Sequence, residues 1–349
     1  MRDYHIDHPH NEASALVAIH NRALLDAQEW DVAFWIASDE KPTRKAIAAL
    51  GRDRNGEWQV RPLKTTLSAD SDSKTAEDCE TLARAGGWIY IFGSQYGSKE
   101  GPLQPKRHFV ARFNESLVET QDGTLRATLD LARSPFLLHR LINDALRESG
   151  VKLIERGEQQ KTEMIDATVE AGQKKTWGPL IDGDDHPVNV EGSTFLPDGR
   201  LLLGLRYPVT HDGHPILAEI DGIDRIFHKE QPDPQVTSLW ILTNVGSKRA
   251  PAGVRELDHR GQIHVVTGGI DSDPEASVIL KDAPHGDRAV NRHHAFDPPT
   301  DHSPVVKIEA TEVRRFDGNA NVEGLAVQDD GTVWYVHDDE RIRLQRAEL

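Results

Sequence analysis

The stretch NVEGSTFLPDGRLLLGLRY (189–207) returns near the end of the chain as NVEGLAVQDDGTVWYVHDD (321–339). An internal repeat constrains the fold more than any single motif, because one unit cannot bury its own apolar face and must stack on its neighbours. A third copy, EDCETLARAGGWIYIFGS (77–94), follows the same plan. An acid or amide comes first, then any residue, a glutamate, a small residue, a short strand, a polar turn with glycine and a second strand. A fourth copy, GVRELDHRGQIHVVTGG (253–269), keeps the turn and second strand but has Arg255 and Glu256 near the place of the glutamate. A fifth, SALVAIHNRALLDAQEWDVAFWIASDE (14–40), keeps the second strand, VAFWIAS, and has no matching acid.

Further alternating runs follow each copy. KAIAALGR, RHFVARF, HPILAEI, ASVILKD and RIRLQRA read as third strands; EWQVRPL, TLRATLDL, VTSLWILTN and VVKIEATEV read as fourth strands. Short runs rich in β-branched and aromatic residues, bounded by Gly, Asp and Pro, carry the strand pattern. Four antiparallel strands repeated about five times predict an all-β chain, a β-propeller of five blades with six as the alternative. The last unit ends at its third strand, so the N-terminal DYHID is expected to supply the missing outer strand.

The spacing locates one interruption. Glu191 and Glu323 are 132 residues apart, two units with the fourth copy between them, whereas Glu80 and Glu191 are 111 apart, one unit and an insertion. The insertion is assigned to residues 134–180, between the second and third blades. Within it SPFLLHRLINDALRESG predicts a helix with Ser134 as N-cap, Pro135 in the first turn and Gly150 as stop. A second helix is expected over 161–171. The Pro- and His-rich segment 284–304 reads as a loop.

Composition narrows the classes. Among 349 residues, 57 Asp and Glu against 41 Lys and Arg give a formal charge of −16, which opposes a general nucleic-acid or anionic-membrane role. No run of about 18 apolar residues predicts a spanning helix. The N-terminal residues lack the apolar core of a secretory signal, and the single cysteine, Cys79, allows no internal disulfide, so a cytoplasmic protein is expected. Cys79 itself falls in an inner strand and reads as a small buried residue.

The first strand of a propeller blade lines the central channel. Glu80, Glu191 and Glu323 are therefore expected to converge on the axis, with Asp78, Asn189 and Asn321 beside them. Close carboxylates repel in a low-dielectric pocket. A hard cation such as calcium or magnesium, trapped protons or basic side chains must relieve that repulsion. The loops on the same face offer Lys99, Lys106, Arg107 and Arg206, and the fourth copy adds Arg255. This set suits an anionic ligand bridged by a metal; it equally suits internal ion pairs holding the blades together. His337 and Asp338, at the end of a second strand, are the candidates for proton transfer. His293, His294 and His302, near Asp297 and Asp301, lack regular ligand spacing and read as exposed loop residues. DGDDH (182–186) lacks the distal glutamate of a calcium loop and reads as a polar lead-in to the third blade.

The Glu-containing strand starts, together with IFGS, LLLGLRYP and GVREL, resemble a bacterial family of propeller-type proteins, the domain of unknown function numbered 3616, over roughly residues 14–345. The resemblance implies the propeller and the matching status of Glu80, Glu191, Arg206, Arg255 and Glu323. The chain departs from the pattern at Gln95, where a histidine is expected, and at Thr81, in place of a glycine. More distantly the arrangement is similar to phytase-like and gluconolactonase-like propellers, whose axial carboxylates hold a divalent metal. Two functions follow as expectations. One is a regulatory module that binds a protein partner through its face loops and helical insertion. The other is a metal-dependent hydrolase of an anionic small molecule, with Glu80, Glu191 and Glu323 on the cation and Arg206, Arg255 and Lys99 on the anion.

Overall fold

The computed structural model describes residues 2–6, 13–39, 41–72, 74–228, 230–301, 303–316, 321–337 and 341–349. After an N-terminal strand β1 (Arg2–Ile6), the described strands fall into five antiparallel units of four. The first contains β2 (Ala13–Ala18), β3 (Trp30–Ser38), β4 (Ile47–Asp53) and β5 (Trp58–Leu67). The second contains β6 (Cys79–Ala85), β7 (Trp88–Gly93), β8 (Val110–Asn114) and β10 (Thr124–Ala132), with the short β9 (Glu119–Gln121) beside β10. The third contains β11 (Asn189–Phe195), β12 (Leu201–Tyr207), β13 (Ile216–Asp221) and β14 (Gln235–Leu242). The fourth contains β15 (Ala252–Arg260), β16 (Gln262–Gly269), β17 (Arg292–Phe296) and β19 (Thr311–Arg315), with β18 (Val305–Ile308) between the last two in sequence. The fifth contains β20 (Val322–Val327), β21 (Thr332–His337) and β22 (Ile342–Glu348), and β1 completes it by pairing antiparallel with β22. Innermost strands β2, β6, β11, β15 and β20 pack side by side in cyclic order, and β20 returns to β2. The protein is a β-propeller.

Why the strands read as continuous apolar runs follows from their position between two blades. Along β3, Phe34 and Ile36 pack toward the fifth blade while Trp35 and Ala37 pack toward the second. Along β21, Trp334 and Val336 face the first blade while Val333 and Tyr335 face the fourth. Both faces are dry, and each large side chain so buried contributes about 1.5–3 kcal/mol. The glycine in LLLGLRY meets the same packing. A Cβ on Gly204 would lie 2.3 Å from Val254 Cγ1 on the next blade, so only hydrogen fits there.

Three readings of the sequence are corrected. ASVILKD is not a third strand: Ser277 caps a short helix, Val278–Asp282, by accepting from the Leu280 amide. Asp271 in turn holds the Ser277 hydroxyl, and Val278 and Ile279 are buried beneath the insertion. The third strand of that blade lies inside the presumed loop 284–304, as β17. His293 and His294 are accordingly buried rather than exposed, His293 joining His264 (3.0 Å) and the Tyr335 hydroxyl (2.8 Å) between two blades. Loss of hydration pushes His264 down to about 4. His302 lies outside the described residues. VVKIEATEV is divided: β18 pairs parallel with β14 of the preceding blade, and only β19 closes its own.

The inserted helix spans Leu137–Ser149, starting after Phe136, which sits at φ 66°, without a side-chain cap; Ser134 is not its N-cap. It ends at Gly150, φ 67°. Leu138, Ile142 and Leu146 enter the core between the second and third blades. A further helical segment, Gln160–Gly172, begins with a π-helical stretch, and its Met164 and Ile165 pack with Tyr96, Tyr207 and Ile270 from three blades. The insertion is stapled by Asp185 from the DGDDH segment. That fully buried carboxylate binds Arg140 (Nη1 3.0 Å, Nη2 2.8 Å), His139 (3.4 Å) and the Asp182 amide (2.8 Å). Replacing it with alanine leaves Arg140 with the half-exposed Asp144 (2.9 Å) as its remaining ion-pair partner and takes the carboxylate from buried His139, and is expected to destabilise the protein by about 3 kcal/mol, read from urea unfolding midpoints.

Candidate axial site

Each innermost strand breaks register at one residue. The ladder jumps between Ala13 and Ala15, Cys79 and Thr81, Val190 and Gly192, Val254 and Glu256, and Val322 and Gly324. The residues passed over are Ser14, Glu80, Glu191, Arg255 and Glu323. A bulge re-aims the side chain of the extra residue. The five bulges therefore define one equivalent position per blade, and it is Arg255, not Glu256, that takes the place of the glutamate in the fourth. Glu256 lies one step further along, where its carboxylate accepts from the Thr81 hydroxyl (2.9 Å) and the Leu257 amide (2.9 Å). Thr81, the departure from the family pattern, thereby has a partner of its own.

Arg255 organises the ring. Its Nη1 lies 2.9 Å from one oxygen of Glu191, and its Nη2 binds Glu323 and the Asn321 amide oxygen (3.0 Å). The other Glu191 oxygen receives Arg206 Nη1 (2.7 Å) and the Asn189 amide (3.2 Å). Arg206 also donates from Nε to the Gly269 carbonyl (3.2 Å). Glu191, with Asp271 and Glu323 nearby, holds that guanidinium protonated against its burial. On the second blade, Arg107 pairs with Asp78 (3.0 Å), whose other partner is the Ser94 hydroxyl. Asp78 adopts φ 73°, and burial raises its pKa above the usual carboxylate range despite Arg107.

Glu80 differs from the rest. It is partly exposed, and among the described residues its carboxyl makes no hydrogen bond or ion pair. Lost hydration, then the charges of Asp78, Glu191, Asp39 and Glu323, drive its pKa well above the usual range. The carboxyls do converge near the axis, and the repulsion between them is relieved in two ways: by guanidinium groups at Glu191 and Glu323, and by a retained proton at Glu80. Ser14, the fifth ring residue, has a buried hydroxyl without a partner among the described residues.

The expected metal set fits poorly. Both oxygens of Glu191 are engaged by arginines, so a cation there would have to displace two guanidinium groups. Among the described residues no group of three His, Cys, Asp or Glu side chains is disposed to hold a metal ion. Lys99 is half-buried and donates to Ser272 (3.2 Å) in the loop region of the fourth blade. His337 is buried at the end of β21, its ring 6.1 Å from that of Phe316 between the fourth and fifth blades. Asp338 lies outside the described residues. Gln95 is buried, at φ 59°, and donates to the Gly93 carbonyl (3.0 Å). Cys79 is buried, its thiol held in the neutral form by loss of hydration. The bulge that selects Arg255 and the role of Asn189 and Asn321 in bracing their glutamates were absent from the sequence reading; the recurring N-x-E spacing carried a signal for the second.

Residues 25–230 match the family described as protein of unknown function (DUF3616), and the chain belongs to that family. No curated protein matches the sequence. Among solved structures, a glucose dehydrogenase is similar over all of both chains at 10% identity, with a TM-score of 0.42. A mannose phosphorylase from Leishmania mexicana is similar at 9% identity, over 97% of this chain and 85% of that one, with a TM-score of 0.38. A streptogramin B lyase is similar at 10% identity, over 99% and 97%, with a TM-score of 0.37. The propeller rests on the strand topology itself.

Two substitutions separate the ways the ring is neutralised. Arg255→Met leaves Glu191 and Glu323 short of their shared counter-charge, with an expected cost of about 3–5 kcal/mol at pH 8. The cost shrinks on acidification, because the stranded carboxylates can then take up protons. Glu80→Gln acts oppositely. A carboxyl whose folded pKa is raised contributes stability that is full below its unfolded pKa and is lost as pH rises through the folded value. The variant is therefore expected to melt with wild type at pH 4.5 and progressively above it toward pH 8.5, measured by thermal unfolding across that range.

Proposed function

We propose that the axial ring is a binding site for a small, neutral, hydroxyl-rich molecule, on which Glu80 acts as a proton donor. The observation that carries this reading is the setting of Glu80: a partly exposed carboxyl without an ion-pair or hydrogen-bond partner among the described residues, whose hold on its proton is raised by lost hydration and then by the acids around it. A general acid must hold its proton near neutral pH and be reachable by the group it protonates. A titratable group shifted by lost hydration and by specific charged neighbours is a candidate for a functional role. The neighbouring charges favour a neutral ligand over an anion. Arg206 and Arg255 already donate to Glu191, Glu323 and Asn321, and the surrounding carboxyls, Asp78, Glu191 and Glu323, repel negative charge near Glu80. For the same reason the reading uses the ring without a metal. Arg255 and Arg206 position Glu191 and Glu323, and Asp78, tied to Arg107, sustains the field that keeps Glu80 neutral.

The alternative of a docking module built on the helical insertion has less support, since the apolar side chains of the insertion are spent against the blades. Thermal-shift measurements with neutral sugars, sugar lactones, sugar phosphates and aldonic acids, each with and without calcium or magnesium, test the proposal. Stabilisation by neutral polyhydroxy compounds that disappears in Glu80→Gln is expected. For any lactone turned over, the rate should fall as pH rises through the Glu80 pKa, and that limb should vanish in the variant. Stabilisation confined to phosphates and acids, or dependent on added metal, overturns the reading.

A further inference from the structure

A second site lies on the flank of the propeller, far from the axis in the architecture. The outermost strands of the first two blades, β5 and β10, pair parallel and bridge the two blades, with Leu63, Lys64, Thr65, Thr66 and Leu67 opposite Leu125, Arg126, Ala127, Thr128 and Leu129. Leu63, Leu67, Leu125 and Leu129 belong to the core between these blades. Lys64 and Arg126, on alternate positions, are exposed and directly opposed. Like charges facing each other across a ladder repel, and the acid beside this pair is Glu119 of β9, opposite Arg126 on its other side.

The rung opens onto a groove of about 1370 Å3. Among the described residues its charged lining is Lys41, Arg44, Lys45, Lys64, Lys74 and Arg126, against the single acid Glu119. In a chain with a formal charge of −16, six bases to one acid in one groove is a marked local reversal. Among the described residues the side chains of Arg44, Lys45, Lys64, Lys74 and Arg126 make no ion pair, although acidic residues are in excess over the chain as a whole. The groove is not merely charged. Buried Leu63, Ala127 and Leu131 contribute to its floor, and at its rim Leu117 is 70% exposed, one of two exposed large apolar side chains among the described residues. Thr66 and Thr128, exposed on the rung beyond Lys64 and Arg126, add paired hydroxyl groups.

We propose that this groove docks an extended acidic peptide segment of a protein partner, with one apolar side chain of the segment seated against Leu117. Charge complementarity selects an acidic occupant. The five-residue bridge offers a track about 17 Å long at ~3.3 Å per extended residue. A nucleic acid is the poorer fit, because the lining includes no Phe, Tyr or Trp on which bases could stack and the whole-molecule field repels a long polyanion. The inference is independent of the axial reading.

Fluorescence anisotropy on the full chain provides the test. The probes are a labelled decapeptide of alternating Glu and Asp interrupted by two leucines, the same peptide with leucines replaced by serine, and labelled oligo-dT of equal charge. Saturable binding to the leucine-containing peptide is expected. It should weaken at least tenfold in Lys64→Gln/Arg126→Gln and severalfold on loss of the peptide leucines or in Leu117→Ser. Melting of Lys64→Gln/Arg126→Gln should be unchanged or raised, since a repulsive rung has been removed; if that variant does not fold, Arg44→Glu/Lys45→Glu, off the ladder, takes its place. No saturable binding, equal binding by groove variants and wild type, indifference to the leucines, or oligo-dT binding as tightly as the peptide each overturns the proposal.

Discussion

One guanidinium, that of Arg255, joins three blades. It faces Glu191 of the third and Glu323 of the fifth from its own place on the fourth, and Arg206 completes the neutralisation of Glu191 from behind. The arrangement depends on the bulge that each innermost strand carries at the same level. Without it, residues at that level would continue the alternation of the strand, and their side chains would be directed between blades instead of toward their counterparts. A charged ring at the centre of a closed toroid costs desolvation, and the cost is tolerable only where each charge finds a partner or keeps its proton. Here Glu191 and Glu323 take the first course and Glu80 the second.

Around that ring the stability comes from a repeated and simpler arrangement. Five interblade cores, each built from alternate side chains of adjoining blades, share the strands between them, so that a central strand such as β12 or β21 contributes to two cores at once. A sixth apolar cluster attaches the insertion to loops of the second, third and fourth blades. The insertion thus belongs to the packing of one sector, and its polar staple, Asp185, is as buried as the leucines beside it. The two proposed sites lie where this economy fails: at the axis, an acid without a partner among the described residues, and on the flank, a lysine opposed to an arginine.

Much of this was legible in the sequence. The repeated Glu, turn glycine and strand pointed to the propeller, because period-two alternation and turn residues are local signals with local causes. The errors fell where a local signal was ambiguous. ASVILKD has the apolar run of a strand, but Ser277 and Asp271 make it a capped helix. RHHAF looks like a loop among prolines and charges, yet the space between two blades buries its histidines. Single-sequence patterns do not register burial imposed from the neighbouring blade.

The sequence by itself determined most of the strands, their order and the presence of acids at the head of several of them, since these follow from side-chain alternation and turn chemistry within about twenty consecutive residues. Only the tertiary structure decided that Arg255 rather than Glu256 occupies the ring, that arginines and a retained proton neutralise the axis, and that six bases scattered over residues 41–126 share one groove. Each of those outcomes rests on a register shift or a contact between segments far apart in the chain, where the energy lies in the meeting of two residues and not in either one.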